Sequence, residues 1–286
     1  MIHELPHERR TLHGHFSRDL SPVATVDPGD SVAFSCPNAG WRVSADETFE
    51  PRDEQLDAGH ALIGPIEVRG ARAGKTLVVH VDEVRPGAFG ETFARDTHVV
   101  WTLDGNDGVD DRGARVALAP FLGVIGMPPD EVGIHSTGPP RRCGGNIDCK
   151  ELVAGTALYL PISVDGAHVS AGDGHAAQGD GELSGTAIEC FVERAQLTFE
   201  LSELELRTPV ARTADAWLAF GFDEDLDLAA EQAIATMLDL IERELGIERG
   251  YAIALGSVAV DLRVTQIVNG VKGVHAVLRD DAIRMA

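Results

Sequence analysis

From Val23 to about Leu206, apolar and polar residues alternate in short runs broken by Gly, Pro and Asp, the texture of strands joined by turns. In "KTLVVHVDEV", Leu77, Val79 and Val81 fall on one face and Val78, His80 and Asp82 on the other, which predicts a half-buried strand. "AQLTFELSELEL" repeats the pattern with Leu197, Phe199 and Leu201, and its shift of phase to Leu204 and Leu206 predicts a bulge. "PVATVDPGDSVAFSC" places two β-prone runs around Asp27-Pro28-Gly29-Asp30 and reads as a hairpin. "HVVWTLDGNDG" and "ALYLPISVDGAHVSAGDG" add further strands that end in Gly and Asp turns. After Phe222 the period changes. Ile234, Met237, Leu238, Ile241 and Leu245 form one helical stripe stopped by Gly246, and a second helix is expected from about Glu248 to Ala259, leading into "SVAVDLRVTQIVNG". The fold class predicted is α+β and β-dominated: a sandwich- or barrel-like β body with a C-terminal helical segment.

The change of texture between Arg207 and Asp223 sets a soft boundary. It separates a β-rich body, 1–210, carrying the candidate site from a helix-containing part, 211–286, expected to pack on it as one folding unit. The chain of 286 residues, 44% of them hydrophobic, is long enough to bury a sizeable core. Its formal net charge of −22 repels phosphate backbones and anionic lipid surfaces, so neither nucleic acid nor membrane is expected as a partner. "MIHELPHERRTLHGHF" lacks the apolar region of a secretory signal, and no run approaches a membrane span, so a cytoplasmic protein is expected. Cys36, Cys143, Cys149 and Cys190 contain no C-x-x-C pair and read as reduced, buried thiols.

Candidate chemistry concentrates in "GDGHAAQGDGE", Gly172 to Glu182. A calcium loop of the EF-hand kind needs oxygen ligands at alternate positions between two helices; here the flanks are strands, and His175 and Ala177 break the oxygen series. A catalytic metal site fits better. Asp173 and His175 are two residues apart, so on an extended segment they point to one side, and nitrogen plus carboxylate oxygen suits zinc, which lowers the pKa of bound water. The glycines permit positive φ and close backbone approach. Asp180 and Glu182 repeat the spacing and offer a second carboxylate pair. From spacing alone, a polar hairpin tip whose carboxylates cap backbone amides accounts for the segment equally well.

"CGGNIDCKELVAGTALYLP" followed by "GDGHAAQGDGELSGTAIE" resembles the signature region of the acetamidase/formamidase family, metal-associated amide hydrolases distinct from the amidase-signature and nitrilase enzymes. "HALIGPIEVRGARAGKTLVVHVDEV", with its glycine-proline turn, "LGVIGMPP" and "SVAVDLRVTQIVN" extend the likeness over nearly the whole chain. The resemblance implies hydrolysis of a small carboxamide to carboxylate and ammonia, on a β-rich fold that associates as a homodimer or higher homo-oligomer. Asn146, Asp148, Asp173, His175, Gln178, Asp180 and Glu182 stand at the family's polar signature positions. Two departures stand out. Many relatives have a histidine ahead of "GGN" where this chain has Arg142-Cys143, so either Cys143 takes that histidine's place or the site differs, and "VRGARAGK" replaces the common "VEGAEPGD".

These readings combine into one expectation. Asp173 and His175, with Asp148, hold a divalent ion, zinc first and calcium as the alternative. Glu182 moves the proton, and Asn146 or a glycine amide donates to the oxyanion. Lys150, one of only three lysines, is a further oxyanion or base candidate, its alternative being an ion pair to Glu151 or Glu189. Gln178 and His60 are expected to contact substrate, and His13 and His15 could reach the same ion. Two rivals remain: a thiol-dependent amidohydrolase using Cys143 or Cys149, and a non-catalytic, calcium-stabilised β protein.

Overall fold

The computed structural model describes residues 1–50 and 52–285. Its spine is a long antiparallel pair, Thr76–Ala94 against Glu189–Ser202. Leu77, Val79, Val81, Leu197 and Phe199 are buried as predicted, but Val78 on the opposite face is buried as well and Leu201 only half-buried. Register shifts at Cys190/Val192, Val192/Arg194 and Gln196/Leu197 bend this pair and help the sheet curl into a half-barrel. From the spine the sheet continues one way through Ser31–Cys36 to Ile2–Leu5. The other way it runs through Ala157–Pro161, Val210–Arg212, Ala216–Asp223 and Lys272–Arg279 to Val260–Gln266, crossing the expected boundary at 210 without a break in pairing.

The fold class is as predicted, β-dominated with a C-terminal helical segment. Helix α1, Leu226–Leu245, is capped by the Asp225 side chain, which accepts from the Asp227 and Leu228 amides, and ends at Gly246 with φ 63°. Met237, Leu238 and Ile241 are buried as the stripe requires, but Ile234 is 38% exposed and Ala229, Ala233 and Leu240 share the inner face. The displacement has a cause on the sheet below: a Cβ at Gly221 would stand 2.0 Å from the Ala229 carbonyl, so helix and strand meet through small residues. Helix α2, Arg249–Ala259, follows as expected. No helix among the described residues is long and apolar enough to cross a membrane.

Three local expectations are corrected. The chain reverses at Asp27–Asp30, but Ala24–Val26 pairs in parallel with Leu62–Val68 while Ser31–Cys36 joins Glu189–Ser202, so the two runs are not a hairpin. The phase shift after Leu201 marks the chain leaving the strand at Ser202, and the bulges lie earlier. Gly64–Pro65 forms no turn: it sits inside the strand Leu62–Val68 with a cis peptide bond.

Candidate active site

The strand Val169–His175 pairs on one side with Phe121–Gly126 and on the other with Leu62–Val68. Its last two residues then meet the start of Glu189–Ser202, with Gly174 opposite Cys190 and His175 opposite Glu189. At this corner Asp173 and His175 do point the same way. His175 Nε2 lies 3.4 Å from Asp173 Oδ1 and 3.4 Å from Glu189 Oε1, all three side chains being buried.

Flanking glycines make the corner possible by close approach. A Cβ at Gly172 would stand 2.2 Å from the Ala61 carbonyl oxygen, and one at Gly174 2.3 Å from Val192 Cγ2. The left-handed backbone is taken by the acids instead: Asp148, Asp173 and Glu182 have φ of 53°, 60° and 48°. Such conformations cost on the order of 1 kcal/mol or more outside glycine and concentrate where function holds them.

Asp148 and Glu182 complete the arrangement from two loops. One ligand atom from each of Asp148, His175 and Glu182 lies within 4.8 Å of the other two, and Asp173, His175 and Glu189 form a second such trio. Asp148 Oδ2 accepts from Asn269 Nδ2 at 2.7 Å. Glu182 follows Gly181, whose amide donates to the Thr265 carbonyl at 3.0 Å, so the C-terminal part positions two of the groups. Gly123 leaves the central space open. A Cβ there would meet Asp173 Oδ2 at 2.5 Å, Asp148 Oδ1 at 2.7 Å and His175 Cε1 at 2.9 Å.

The ring of His175 is oriented by a chain of two hydrogen bonds. Gln178 Nε2 donates to the Asp148 backbone carbonyl at 2.8 Å, which leaves Gln178 Oε1 to accept from His175 Nδ1 at 2.9 Å. Nε2 therefore faces the acids. Burial alone would lower the pKa of His175, but Glu189 and Asp173 hold it well above the usual histidine range. Burial opposes ionisation of Asp173 too, yet His175 keeps it below the carboxylate range. Asp148 is pushed well above that range by burial and then by Glu182. Burial also pushes Glu182 up to about 7, with His175 opposing the rise and Asp173 and Glu189 adding to it. Oδ1 of Asp148, Oδ1 of Asp173, Oε2 of Glu182 and Oε2 of Glu189 are all buried without a hydrogen-bond partner.

These groups line a cavity of about 510 Å³ whose wall also carries His60, Asn146 and Arg42, the last paired with Glu91 at 3.2 Å. Asn146 places one Nδ2 hydrogen on the Gly138 carbonyl at 3.1 Å and leaves Oδ1 buried and unpartnered, so the atom without a partner is an acceptor, while the second Nδ2 hydrogen remains for the expected role of oxyanion donor. His60 Nδ1 lies 2.8 Å from Thr137 Oγ1, which also accepts from the His60 amide at 2.9 Å. The buried Thr137 hydroxyl needs an acceptor of its own; donating to Nδ1 makes Nε2 of His60 an N–H donor.

Other expected residues lie elsewhere. Lys150 pairs with Asp180 at 3.0 Å, not with Glu151 or Glu189, and both line a neighbouring cavity; Glu182 borders that cavity too, but only Glu182 of the expected carboxylate pair also lines the site. Gln178 braces His175 and does not line the cavity where substrate would sit. His13 uses both ring nitrogens, on the His15 carbonyl and Ser170 Oγ, and burial lowers its pKa to about 4; His15 Nδ1 is engaged by the Leu56 carbonyl. Cys143 is buried against the Met127 carbonyl, outside the cavity, and does not stand in for a histidine ligand there. Burial raises the thiol pKa of Cys143 and Cys149, which leaves neither as a ready nucleophile. Glu189, Gly123 and Asn269 were not foreseen.

Residues 2–105 and 129–208 match the model of the Acetamidase/Formamidase family. The fold is similar to that of an acetamidase from Bacillus halodurans, with a TM-score of 0.86 and 29% identity over 96% of this chain and 97% of that one. In sequence the chain is similar to a putative formamidase of Schizosaccharomyces pombe, 25% identical over 71% of this chain and 68% of that protein. It is also 26% identical to an acetamidase of Mycolicibacterium smegmatis, over 60% of this chain and 61% of that one. The likeness to these two relatives thus spans between three fifths and just over two thirds of their length. With more than half of its residues matched and a crystallographic relative superposing over almost its full length, the chain belongs to the acetamidase/formamidase family.

Proposed function

We propose that this chain hydrolyses a small carboxamide to the carboxylate and ammonia, with a divalent cation held by His175, Asp173, Glu189 and Asp148. The observation that carries the cation is electrostatic. Four unpartnered carboxylate oxygens surround one imidazole. Without a cation the acids avoid full ionisation only because Asp148 and Glu182 are held above the carboxylate range, and ionising all four takes more positive charge than one imidazolium supplies. Buried charge of that kind is stable only when matched. The mixed nitrogen and oxygen donors favour zinc over calcium, and the open space at Gly123 lies between two of the carboxylates and the ring. Gln178 is the outer brace that fixes the tautomer of a metal-bound histidine. When bound, the ion supplies Lewis acidity to a carbonyl oxygen and makes water more acidic.

The chain's own residues carry the proton and the orientation. Glu182, near neutrality in its pKa, takes a proton from the water that attacks the carbonyl carbon and returns it to the departing nitrogen. Asn146 Oδ1 accepts from the substrate's amide N–H, and His60 Nε2–H is a wall donor available to the carbonyl oxygen. The test is ammonia release from formamide, acetamide, longer linear amides and a lactam by metal-replete protein. Turnover of short amides that falls about 10²–10⁴-fold in Glu182→Gln is expected; no ammonia from any of them would remove the reading. The acetamidase and formamidase relatives favour the linear amides.

A further inference from the structure

Behind the loop that carries Asp148, a second group of donors is assembled. Cys149 is fully buried, and its Sγ lies 3.2 Å from Glu151 Oε2. His275, also fully buried, reaches the same oxygen from the strand Lys272–Arg279, with Nε2 at 3.8 Å and no hydrogen-bond partner. Its other nitrogen is fixed by Thr265 Oγ1 at 2.8 Å. Burial lowers the His275 pKa, so the ring is neutral and Nε2 can offer a lone pair. All three ligand atoms lie within 4.8 Å of one another.

We propose that Cys149, Glu151 and His275 form a second metal site, selective for zinc or a similarly thiophilic divalent ion, that ties the Asp148 loop to the C-terminal sheet. The spacing suits it. Bonds of 2.0–2.3 Å at tetrahedral angles place ligand atoms about 3.3–3.6 Å apart, against the observed 3.2 and 3.8 Å. The ion displaces the thiol proton to solvent, and thiolate and carboxylate then oppose its two charges beside a neutral imidazole. Glu151 is the ligand nearest solvent: it lines a cavity of about 830 Å³ together with Lys150 and Asp180, while Cys149 and His275 lie fully buried behind it. Glu151 keeps its second oxygen on Arg263 at 2.7 Å, which holds the carboxylate in place.

The two sites share no ligand, so their tests separate. X-ray absorption at the zinc edge of the zinc-saturated wild-type protein should show one sulfur neighbour at about 2.3 Å. The sulfur should vanish in Cys149→Ser and persist in a His175→Ala/Asp173→Asn double variant. Metal analysis should find two ions per wild-type chain and one fewer in His275→Gln. A wild-type spectrum with only nitrogen and oxygen neighbours overturns the proposal even if every variant fails to fold, and so does sulfur that survives in Cys149→Ser. If the first site binds nothing, the wild-type protein should still hold one sulfur-ligated ion.

Discussion

Replacing Gly123 with alanine adds one methyl group to the centre of the site and nothing else. That Cβ would stand 2.5, 2.7 and 2.9 Å from Asp173 Oδ2, Asp148 Oδ1 and His175 Cε1. Ordinary contact begins nearly 1 Å farther out, so the two carboxylates must retreat by roughly that much or the strand Phe121–Gly126 must yield. Strand movement is opposed on both edges, by Gly144–Asn146 and by Val169–His175. The acids therefore move, and a displacement of about 1 Å in reacting geometry is worth about 10²-fold in rate, near 2.7 kcal/mol. Gly123→Ala should retain its circular dichroism while kcat/KM for ammonia release falls about 100-fold and the site's ion is held more weakly. Gly179→Ala is the control, since nothing lies within 4 Å of its added Cβ and its backbone does not require glycine. Wild-type kcat/KM and metal content in a folded Gly123→Ala protein would refute the geometry on which the reasoning stands.

Removing the brace in Gln178→Ala frees His175 Nδ1 from its acceptor and should weaken metal binding about 10–100-fold, read by competition with a chromogenic chelator; unchanged affinity would deny Gln178 that role. The pH dependence of stability carries a sign. Glu182 keeps its proton up to about 7 when folded against 4.5 as the ordinary value, so between those pH values the folded chain binds a proton the unfolded chain has released. Stability of the metal-stripped wild-type protein relative to Glu182→Gln should therefore fall by roughly 3 kcal/mol as pH rises from about 4.5 to about 7. Urea unfolding at several pH values checks this, and a difference that grows with pH would contradict it. Iodoacetamide applied to the native protein should leave amide turnover intact, as should Cys143→Ser, because Cys143 is only 2% exposed and points away from the cavity; loss of turnover on alkylation would revive a thiol mechanism.

Much of this architecture is written in local period. Leu77, Val79 and Val81, or Met237, Leu238 and Ile241, are buried because alternation and helical spacing decide which face meets the core. What failed were inferences about partners. Asp27–Asp30 turns the chain, but whether its flanking runs pair depends on strands far away in sequence, Leu62–Val68 and Glu189–Ser202. The same division runs through the site. Asp173, His175 and Glu182 carried their chemistry and spacing in plain view and Asp148 was marked by the family resemblance, whereas Glu189 arrives only through its register opposite His175 and Asn269 only through the fold of the C-terminal part. Gly123 left one faint signal, a glycine inside an apolar strand, where a missing side chain marks close approach. Lys150 shows the opposite error: scarcity suggested chemistry, and the structure spends it on Asp180.

The account rests on the buried acids around His175 needing a cation to work. Stripping the protein with a chelator and titrating zinc back while following ammonia release from acetamide or formamide tests this directly. Activity should disappear with the metal and return in proportion to reloading in the wild-type protein, but not in His175→Ala. Full turnover by metal-free protein would contradict the account.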